Sequence, residues 1–253
     1  MAEPLGPVTL VVIILSAFAF PLLFLVWIRN TERWGREPWH ALLRSFAWGA
    51  VFSVLIAIAV SLLLIALFQE SGSLYRFLSD RFANPELVFA VLVIAPFVEE
   101  AAKGLGATAG RRYVRFAADG IVYGAAAGLG FSATENLFYG LAPLGELGAS
   151  ASLLVIVIRS FSSSLLHASA TAVTGYGLAK GWLLGRPFAF APFYLLAVIM
   201  HASFNFLASF GELYAKQVGE IGYTLGFVAA VAFAVIAVTV IRFKLVRPRP
   251  VAR

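Results

Sequence analysis

Long apolar segments alternate with short polar ones along the whole chain, and this pattern predicts a bundle of membrane-spanning helices. A helix needs about 20 mostly apolar residues to cross a hydrocarbon core of about 30 Å. Seven segments have this length and character, which predicts an all-α, polytopic membrane fold. The predicted spans are Pro7–Ile28, Ser45–Phe68, Glu86–Gly106, Ala118–Leu141, Ser150–Leu178, Phe188–Phe210 and Ile221–Arg242.

The segments between and before these spans leave no room for a soluble domain. No Lys or Arg precedes the first span, and its apolar run is longer than that of a signal peptide, so we expect it to be retained. The segment Gly72–Ala83 is either a short amphipathic helix at the outer surface or a simple connector. We therefore expect one integral membrane domain over residues 1–253.

Composition supports the membrane assignment and removes several chemistries. Apolar residues make up 61% of the chain and charged residues 13%, with a mean hydropathy of +0.90. Ordinary soluble domains carry about 25% charged residues. The chain has no cysteine, which excludes a disulfide-stapled secreted domain, a cysteine nucleophile and a Cys-ligated metal.

The chain has a net charge of +6, and its basic residues are distributed unevenly between the two sides of the predicted bundle. Three basic residues fall on one side, and fifteen fall on the other: Arg29, Arg33, Arg36, Arg44, Lys103, Arg111, Arg112, Arg115, Lys180, Arg186, Arg242, Lys244, Arg247, Arg249 and Arg253. By the positive-inside rule the N-terminus lies outside and the C-terminus lies in the cytoplasm. We expect a multi-pass protein of the inner (plasma) membrane, with the lipid bilayer as a partner and no nucleic acid.

The third predicted span ends in two adjacent carboxylates and a lysine. Ionisable groups at membrane depth are costly and are candidates for function. Neighbouring residues lie about 100° apart around a helix, so Glu99 and Glu100 cannot share one face. Lys103 follows them by four and three residues and can pair with one of them, which leaves the other as a general base. Alternatively, these charges simply reach the cytoplasmic interface.

The fourth predicted span carries Glu135 and Asn136 far from its cytoplasmic end. Gly120, Gly124 and Gly128 recur every four residues and predict a close approach of a neighbouring helix. Glu135 lies about 22 Å along the axis from Gly120, beyond the reach of the cytoplasmic interface. Its carboxyl must be protonated, paired, hydrated or bound to a metal, and Asn136 is a supporting hydrogen-bonding group.

The next two spans carry polar stripes with four-residue spacing: Arg159, Ser163, His167 and Thr171 in one, and His201, Asn205 and Ser209 in the other. Arg159 is placed to neutralise a buried carboxylate. The two histidines match the expected depth of Glu100, whereas Glu135 fits that depth less well. Histidine at such a position can be a metal ligand, an acid or a base.

Two histidines with one or two glutamates form a plausible ligand set for Zn²⁺ with one position left for water. The predicted metal ligands are Glu135, His167 and His201. The same residues can also work without a metal, with a glutamate activating water while His and Asn stabilise the oxyanion. The HExxH and GxSxG motifs of other hydrolases are absent from the chain.

The order of these motifs resembles that of the PrsW family of intramembrane proteases, which belongs with the type II CAAX prenyl endopeptidases and their bacteriocin-processing relatives. The resemblance spans about residues 94–206 and rests on four motifs: Glu99-Glu100-x-x-Lys103; Gly124 with Phe131-x-x-x-Glu135-Asn136; the helix from Arg159 to His167; and His201-x-x-x-Asn205. The CAAX enzymes usually carry His where this chain has Glu135. The resemblance implies that Glu135 and His167 divide a role held there by one histidine.

The resemblance implies an intramembrane endopeptidase of the glutamate or metal-dependent type, acting on membrane-anchored proteins such as anti-sigma factors. We expect Glu99 or Glu100 to act as the base on a water molecule. The expected ligands or oxyanion partners are Glu135, His167, His201 and Asn205, with Lys103, Asn136 and Arg159 in support. Two alternatives remain open from the residues alone: a proton- or ion-coupled transporter, since buried Glu and His also form proton relays, and a non-catalytic membrane scaffold.

Overall fold

Helices make up all the regular structure of the residues described by the computed structural model, which are 6–32 and 35–246. In chain order the helices are α1 (Pro7–Thr31), α2 (Trp39–Trp48), α3 (Val54–Glu70), α4 (Gly72–Ser79), α5 (Pro85–Phe89), α6 (Ala95–Ala107), α7 (Asp119–Leu141), α8 (Leu144–Phe161), α9 (Ser163–Leu184), α10 (Ala191–Ala208), α11 (Phe210–Leu213), α12 (Ala215–Val218) and α13 (Ile221–Val246). The predicted all-α fold is confirmed. Helix α4 confirms a helix within Gly72–Ala83.

Five helical stretches are long and apolar enough to cross a membrane: Pro7–Thr31, Trp39–Glu70, Leu144–Leu184, Pro187–Ala208 and Ile221–Val246. The described chain is therefore a helical membrane bundle. The other two predicted spans, Glu86–Gly106 and Ala118–Leu141, are also helical for most of their length but fall outside this criterion. Charged and glycine residues lower their hydropathy. The number of crossings and the orientation stay predictions.

Helix α7 lies at the centre of the bundle, which explains why it is less apolar than the outer helices. It packs against α1, α2, α6, α8 and α9, and it is buried along most of its length. A helix enclosed by protein does not have to match the hydrocarbon of the bilayer. Its small residues instead allow close packing with its neighbours.

The glycine stripe of α7 brings its backbone into contact with the backbone of α9. A Cβ atom added at Gly120, Gly124 or Gly128 lies 2.1–2.2 Å from a carbonyl oxygen of α9. No side chain fits at that distance, so the predicted close approach of a neighbouring helix is confirmed. The two helices run antiparallel, with Gly128 opposite His167 and, one turn later, Ser132 hydrogen-bonded to Ser164 at 2.6 Å.

The predicted span Ser150–Leu178 consists of two helices, α8 and α9, that meet at a break. Ser162 has the non-helical angles φ −122° and ψ −79°. Beyond the break α8 continues along α7, with Ser160 3.5 Å from Asn136.

Two π-helical turns join neighbouring helices into longer segments. Gly49–Ser53 connects α2 to α3, and Ala90–Ile94 connects α5 to α6. Each turn has a carbonyl that accepts a hydrogen bond from another helix, from Thr134 Oγ1 at 2.7 Å in the first and from Asn205 Nδ2 at 2.9 Å in the second. Side chains of the core therefore fix both turns in place.

The structure corrects one member of the basic set that predicts orientation. Lys103 is fully buried in the bundle and cannot act as a loop charge at the membrane surface. Its burial removes one residue from the basic side without reversing the imbalance. Four members of the basic set, Arg33, Arg247, Arg249 and Arg253, lie outside the described residues.

Candidate active site

One network of ionisable side chains lies between the inner helices. It contains residues from five helices, and each member lies within 4 Å of another: Glu99, Glu100, Lys103, Glu135, Arg159, His167 and His201. These are seven of the nine predicted site residues. Asn136 borders the network through Arg159, whereas Asn205 lies apart from it.

The amino group of Lys103 lies at the middle of this network. Its Nζ atom lies 2.6 Å from Glu100 Oε1, 3.4 Å from Glu99 Oε2 and 2.9 Å from His167 Nδ1. It also lies 4.6 Å from the centre of the Phe131 ring. The expectation that Lys103 pairs with one glutamate is wrong, because its long side chain reaches between both of them.

Glu100 is held on all sides. Its carboxylate contacts Lys103, accepts a hydrogen bond from Thr171 Oγ1 at 2.9 Å and lies 3.1 Å from His201 Nδ1. The side chain is completely buried, whereas that of Glu99 keeps 14% of its surface exposed. Glu100 therefore orients its neighbours, and Glu99 is the member of the pair that water can reach.

Glu135 and His167 meet because of the direction in which helical side chains point. Side chains tilt towards the N-terminus of their own helix, and α7 and α9 are antiparallel, so the two side chains converge. His167 Nε2 lies 2.9 Å from Glu135 Oε2. The expected mismatch in depth between Glu135 and the histidines is therefore absent.

Arg159 fixes the other side of Glu135. Its guanidinium lies 2.7 Å from Glu135 Oε2 and donates hydrogen bonds to Asn136 Oδ1 and Ser163 Oγ, both at 3.1 Å. It also lies 3.8 Å from the centre of the Tyr139 ring. Arg159 therefore forms the predicted ion pair with a carboxylate, although that of Glu135 is only half-buried, and Asn136 supports the arginine rather than the carboxylate.

His201 faces both glutamates of α6. Its Nδ1 atom lies 3.1 Å from Glu100 Oε1, and its Nε2 atom lies 3.8 Å from Glu99 Oε2. The ring packs edge to face with that of His167 at a centroid distance of 4.9 Å. A histidine whose Nδ1–H donates to a carboxylate presents the lone pair of Nε2, which here points to the Glu99 side.

Asn205 does not reach this network in the structure. Its side-chain amide donates to the carbonyl of Val91 in the second π turn, at 2.9 Å. Sequence spacing places Asn205 on the His201 face of α10. The spacing does not reveal that another helix contains a π turn with which Asn205 can bond. The contact holds the start of the α6 segment against α10.

A cavity of about 200 Å³ connects the network to the surface of the bundle. It lies between α3, α6 and α7 and is lined by Val54, Ala57, Ile58, Ser61, Glu99, Phe131, Glu135 and Phe138. Apart from Ser61, its polar groups are the carboxylates of Glu99 and Glu135. The carboxylates of Glu99 and Glu135 therefore face a cavity whose other lining residues, apart from Ser61, are apolar.

The network contains a donor set suited to a metal ion. Glu99, His167 and His201 each offer one ligand atom, and these atoms lie within 4.8 Å of one another. Carboxylate and imidazole are ligands that Zn²⁺ accepts in catalytic sites. The hydrogen bond of His201 to Glu100 is the arrangement that orients histidine ligands, so Glu99 and His201 fit a metal as they stand.

His167 fits a metal less directly than His201 does. Its Nδ1 atom faces the amino group of Lys103, and its Nε2 atom faces Glu135. A ligating nitrogen needs a free lone pair, so His167 has to release one of these two contacts to bind a metal. In this set of three donors the carboxylate beside the two histidines is that of Glu99, whereas the sequence predicted that of Glu135.

The structure also assembles a second group of buried acids that sequence reasoning missed. The carboxylates of Glu32, Glu37 and Asp119 lie within 4.8 Å of one another. Tyr123 donates a hydrogen bond to Glu37, and two backbone N–H groups of the preceding turn donate to Asp119 Oδ2 at 2.7 and 2.9 Å. The bond between Tyr123 and Glu37 attaches the loop after α1 to the start of α7, whereas the bonds to Asp119 hold the turn that precedes α7. The sequence contains no sign of this group, because acids in loops follow no helical periodicity.

Comparison with known proteins decides the family. A family model described as PrsW family intramembrane metalloprotease matches residues 37–240. The chain belongs to the PrsW family. It is also 28% identical over 194 residues to Protease PrsW of Clostridioides difficile (strain 630), an alignment that covers 74% of each chain. No solved structure matches the chain.

Membership of the PrsW family confirms the resemblance read from the motifs and extends it to most of the helical bundle. It identifies an intramembrane endopeptidase whose substrate is a peptide or protein in the membrane. Nothing in these comparisons favours a transporter. The description of the family as metalloproteases agrees with the donor set of Glu99, His167 and His201.

Proposed function

We propose that the protein hydrolyses a peptide bond of a membrane-anchored protein at the cavity between α3, α6 and α7, with Glu99 as the general base. The observation that carries this assignment is the difference between the two adjacent glutamates. Glu100 is buried and held by three side chains, whereas Glu99 lies on the wall of the cavity. A general base has to be within hydrogen-bond reach of the water that it activates.

Proton transfer begins at Glu99. Its carboxylate takes a proton from water in the cavity as the water oxygen attacks the carbonyl carbon of the scissile bond. The same carboxyl then returns the proton to the amide nitrogen as the C–N bond breaks. His201, oriented by Glu100, and Glu135, held by Arg159 and His167, border the reacting groups.

We propose Zn²⁺ as the metal, which would be held by His201 and His167 with Glu135 as a further ligand, so that the Glu99 carboxylate stays free to act as the base. When bound, such an ion polarises the carbonyl and lowers the pKa of water. The protein orients His201 through Glu100, and the apolar walls of the cavity limit the access of water to the site. Lys103 places a positive charge beside both glutamates of α6.

The substrate enters from the lipid side in this proposal. The cavity is bounded by side chains of α3 and of the C-terminal half of α7. Its lining is apolar except at the two carboxylates and Ser61. An apolar segment of a membrane-anchored regulator fits this lining. We further propose that residues 1–253 act as one domain in the inner membrane, with the N-terminus outside.

The test is cleavage of a single-span model substrate by the full chain in proteoliposomes. We expect Glu99→Gln to abolish cleavage and Glu135→Gln to lower it at least tenfold. Glu86→Gln is the matched control, because Glu86 lies at the start of the same helical segment and bonds only to Gln69 within the described residues. Full activity of Glu99→Gln would contradict the assignment of the base.

A further inference from the structure

We propose that the groove between α9, α10 and α13 binds an anionic phospholipid, with the phosphate held by Lys180 and Lys244. The groove has a volume of about 480 Å³ and lies away from the carboxylate network. Its lining is apolar except at Tyr176 and Lys244: Ile121, Val173, Tyr176, Phe193, Leu196, Val240, Ile241, Phe243 and Lys244.

Lys244 lines the groove, and both Lys244 and Lys180 lie over an aromatic pair that belongs to its wall. The rings of Tyr176 and Phe193 pack edge to face at a centroid distance of 5.3 Å. Lys244 Nζ lies 5.2 Å from the Tyr176 ring, and Lys180 Nζ lies 5.4 Å from the Phe193 ring. The two ammonium groups are therefore held over one aromatic surface rather than extended separately into solvent.

The aromatic surface is fixed before any lipid binds. Phe193 packs directly on α9 at Gly177, where an added Cβ atom lies 2.6 Å from the Phe193 Cβ. Only glycine permits this contact. A site whose walls are already ordered loses less conformational entropy on binding.

The positive charge of the two lysines is not balanced by protein. Among residues 6–32 and 35–246, neither lysine forms an ion pair with a carboxylate, and both are exposed. Two unpaired cations over the same aromatic pair both attract an anion that binds beside that pair. Basic pockets between membrane helices are suited to anionic lipid headgroups.

The position of the lysines along their helices matches a lipid rather than a soluble anion. Lys180 lies near the end of α9 (Ser163–Leu184), and Lys244 lies near the end of α13 (Ile221–Val246). The groove continues along the outer face of α13 from Lys244 to Val240, one turn further from the helix end. A phosphate at the helix ends therefore places its acyl chain along the apolar lining.

A second lipid-facing groove provides an internal comparison. It lies between α8 and α13, has a volume of about 660 Å³ and is lined only by apolar residues, among them Val157, Phe161 and Val228. That groove is larger but has no cation. Apolar area alone therefore gives no preference for a charged headgroup, and the preference is expected only where the two lysines lie.

Native mass spectrometry of the full chain in detergent tests the proposal, with phosphatidylglycerol and phosphatidylcholine of identical acyl chains as probes. We expect wild type to prefer phosphatidylglycerol. Since one basic residue near a membrane surface contributes about 1 kcal/mol, Lys180→Gln and Lys244→Gln should each weaken phosphatidylglycerol about fivefold and leave phosphatidylcholine unchanged. Lys244→Arg should keep the preference.

Two matched controls separate this site from general effects of charge and area. Lys216→Gln removes a lysine from α12, outside the groove, and should change nothing. Leu196→Trp fills the groove and should weaken both lipids, whereas Val228→Trp in the second groove should leave the headgroup preference intact. Equal binding of the two lipids by wild type, or an effect of Lys216→Gln as large as that of Lys244→Gln, would overturn the proposal.

Inorganic phosphate provides the last arm of the test. If phosphate alone displaces phosphatidylglycerol and Leu196→Trp leaves its binding unchanged, the lysines bind free anions and the lipid assignment is wrong. Melting of each variant in detergent shows whether it folds. Lys180→Gln and Lys244→Gln change exposed side chains and are expected to melt as wild type does.

Discussion

The Nζ atom of Lys103 lies 2.9 Å from Nδ1 of His167, among the side chains that suit a metal ion. An ammonium group can only donate, so Nδ1 accepts and Nε2 carries the proton that faces Glu135. His167 has no free lone pair in this arrangement. Lys103 and a metal therefore compete for the same imidazole.

Removing this competition should strengthen metal binding. Lys103→Met alone leaves Glu100 buried beside an apolar group, so the change is best made with Glu100→Gln, whose carbonyl can still accept from His201. We expect the double variant to bind Zn²⁺ at least tenfold more tightly than wild type. Competition with a chromophoric chelator measures the affinity, with Lys180→Met as a control. Equal or weaker binding by the double variant would show that the lysine does not oppose the metal.

The same two substitutions should also affect the free energy of unfolding. Breaking a buried ion pair by removing one partner costs about 3–5 kcal/mol, whereas replacing both partners is much less costly. We therefore expect Lys103→Met to lower the free energy of unfolding by this amount and the double variant to recover most of it. Unfolding in mixed micelles measures both values. Equal losses in the two variants would mean that the pair is not coupled.

The contact between α7 and α9 should be sensitive to one added methyl group. At Gly128 an added Cβ lies 2.2 Å from the carbonyl oxygen of His167, so Gly128→Ala has to push the helices apart. Overpacking of this kind costs about 1–3 kcal/mol, and we expect a loss of cleavage as His167 moves away from Glu135. Gly145→Ala in α8 is the control, because nothing lies within 4 Å of its added Cβ.

Arg159 should act through the position of Glu135 rather than through charge alone. Its planar group contacts Glu135, Asn136 and Ser163 at once, which an ammonium cannot reproduce. We expect Arg159→Lys to lower kcat at least tenfold with little change in KM, and Arg159→Met to lower it further. Kinetics with the model substrate separate the two constants. An active Arg159→Met variant would remove Arg159 from the site.

Replacing Asn205 should show whether its role is structural or catalytic. Its amide satisfies a carbonyl of the second π turn, and a hydrogen bond in such a half-buried place contributes about 1 kcal/mol. Asn205→Leu should therefore reduce thermal stability more than it reduces kcat at a temperature where the variant is folded. The opposite outcome, a stable and inactive variant, would favour the oxyanion role expected from the sequence.

The sequence predicts the helices and most of the site because both depend on periodicity. Four-residue spacing places Arg159 and His167 on one stripe, and the motif order identifies the PrsW family. The details that it does not predict depend on contacts between distant segments. The break at Ser162, the bond of Asn205 to a π turn and the contact of Lys103 with both glutamates have no local signature.

The same limit applies to the choice between Glu99 and Glu100. Their chemistry is identical and their positions differ by one residue. What separates them is which neighbour each side chain meets: Thr171 and His201 for Glu100, and the cavity between α3 and α7 for Glu99. Only the packing of four other helices decides this, so the sequence left both residues as candidates.

The enclosed position of α7 has a consequence for biogenesis. A glycine-rich helix that carries Glu135 inserts poorly on its own, and its burial depends on α8 and α9, which are synthesised after it. His201 follows later still, in α10. The nascent chain therefore holds the carboxylates of α6 and α7 without their histidines until α9 and α10 have been made, and proteolytic competence arises only once α10 has joined the bundle.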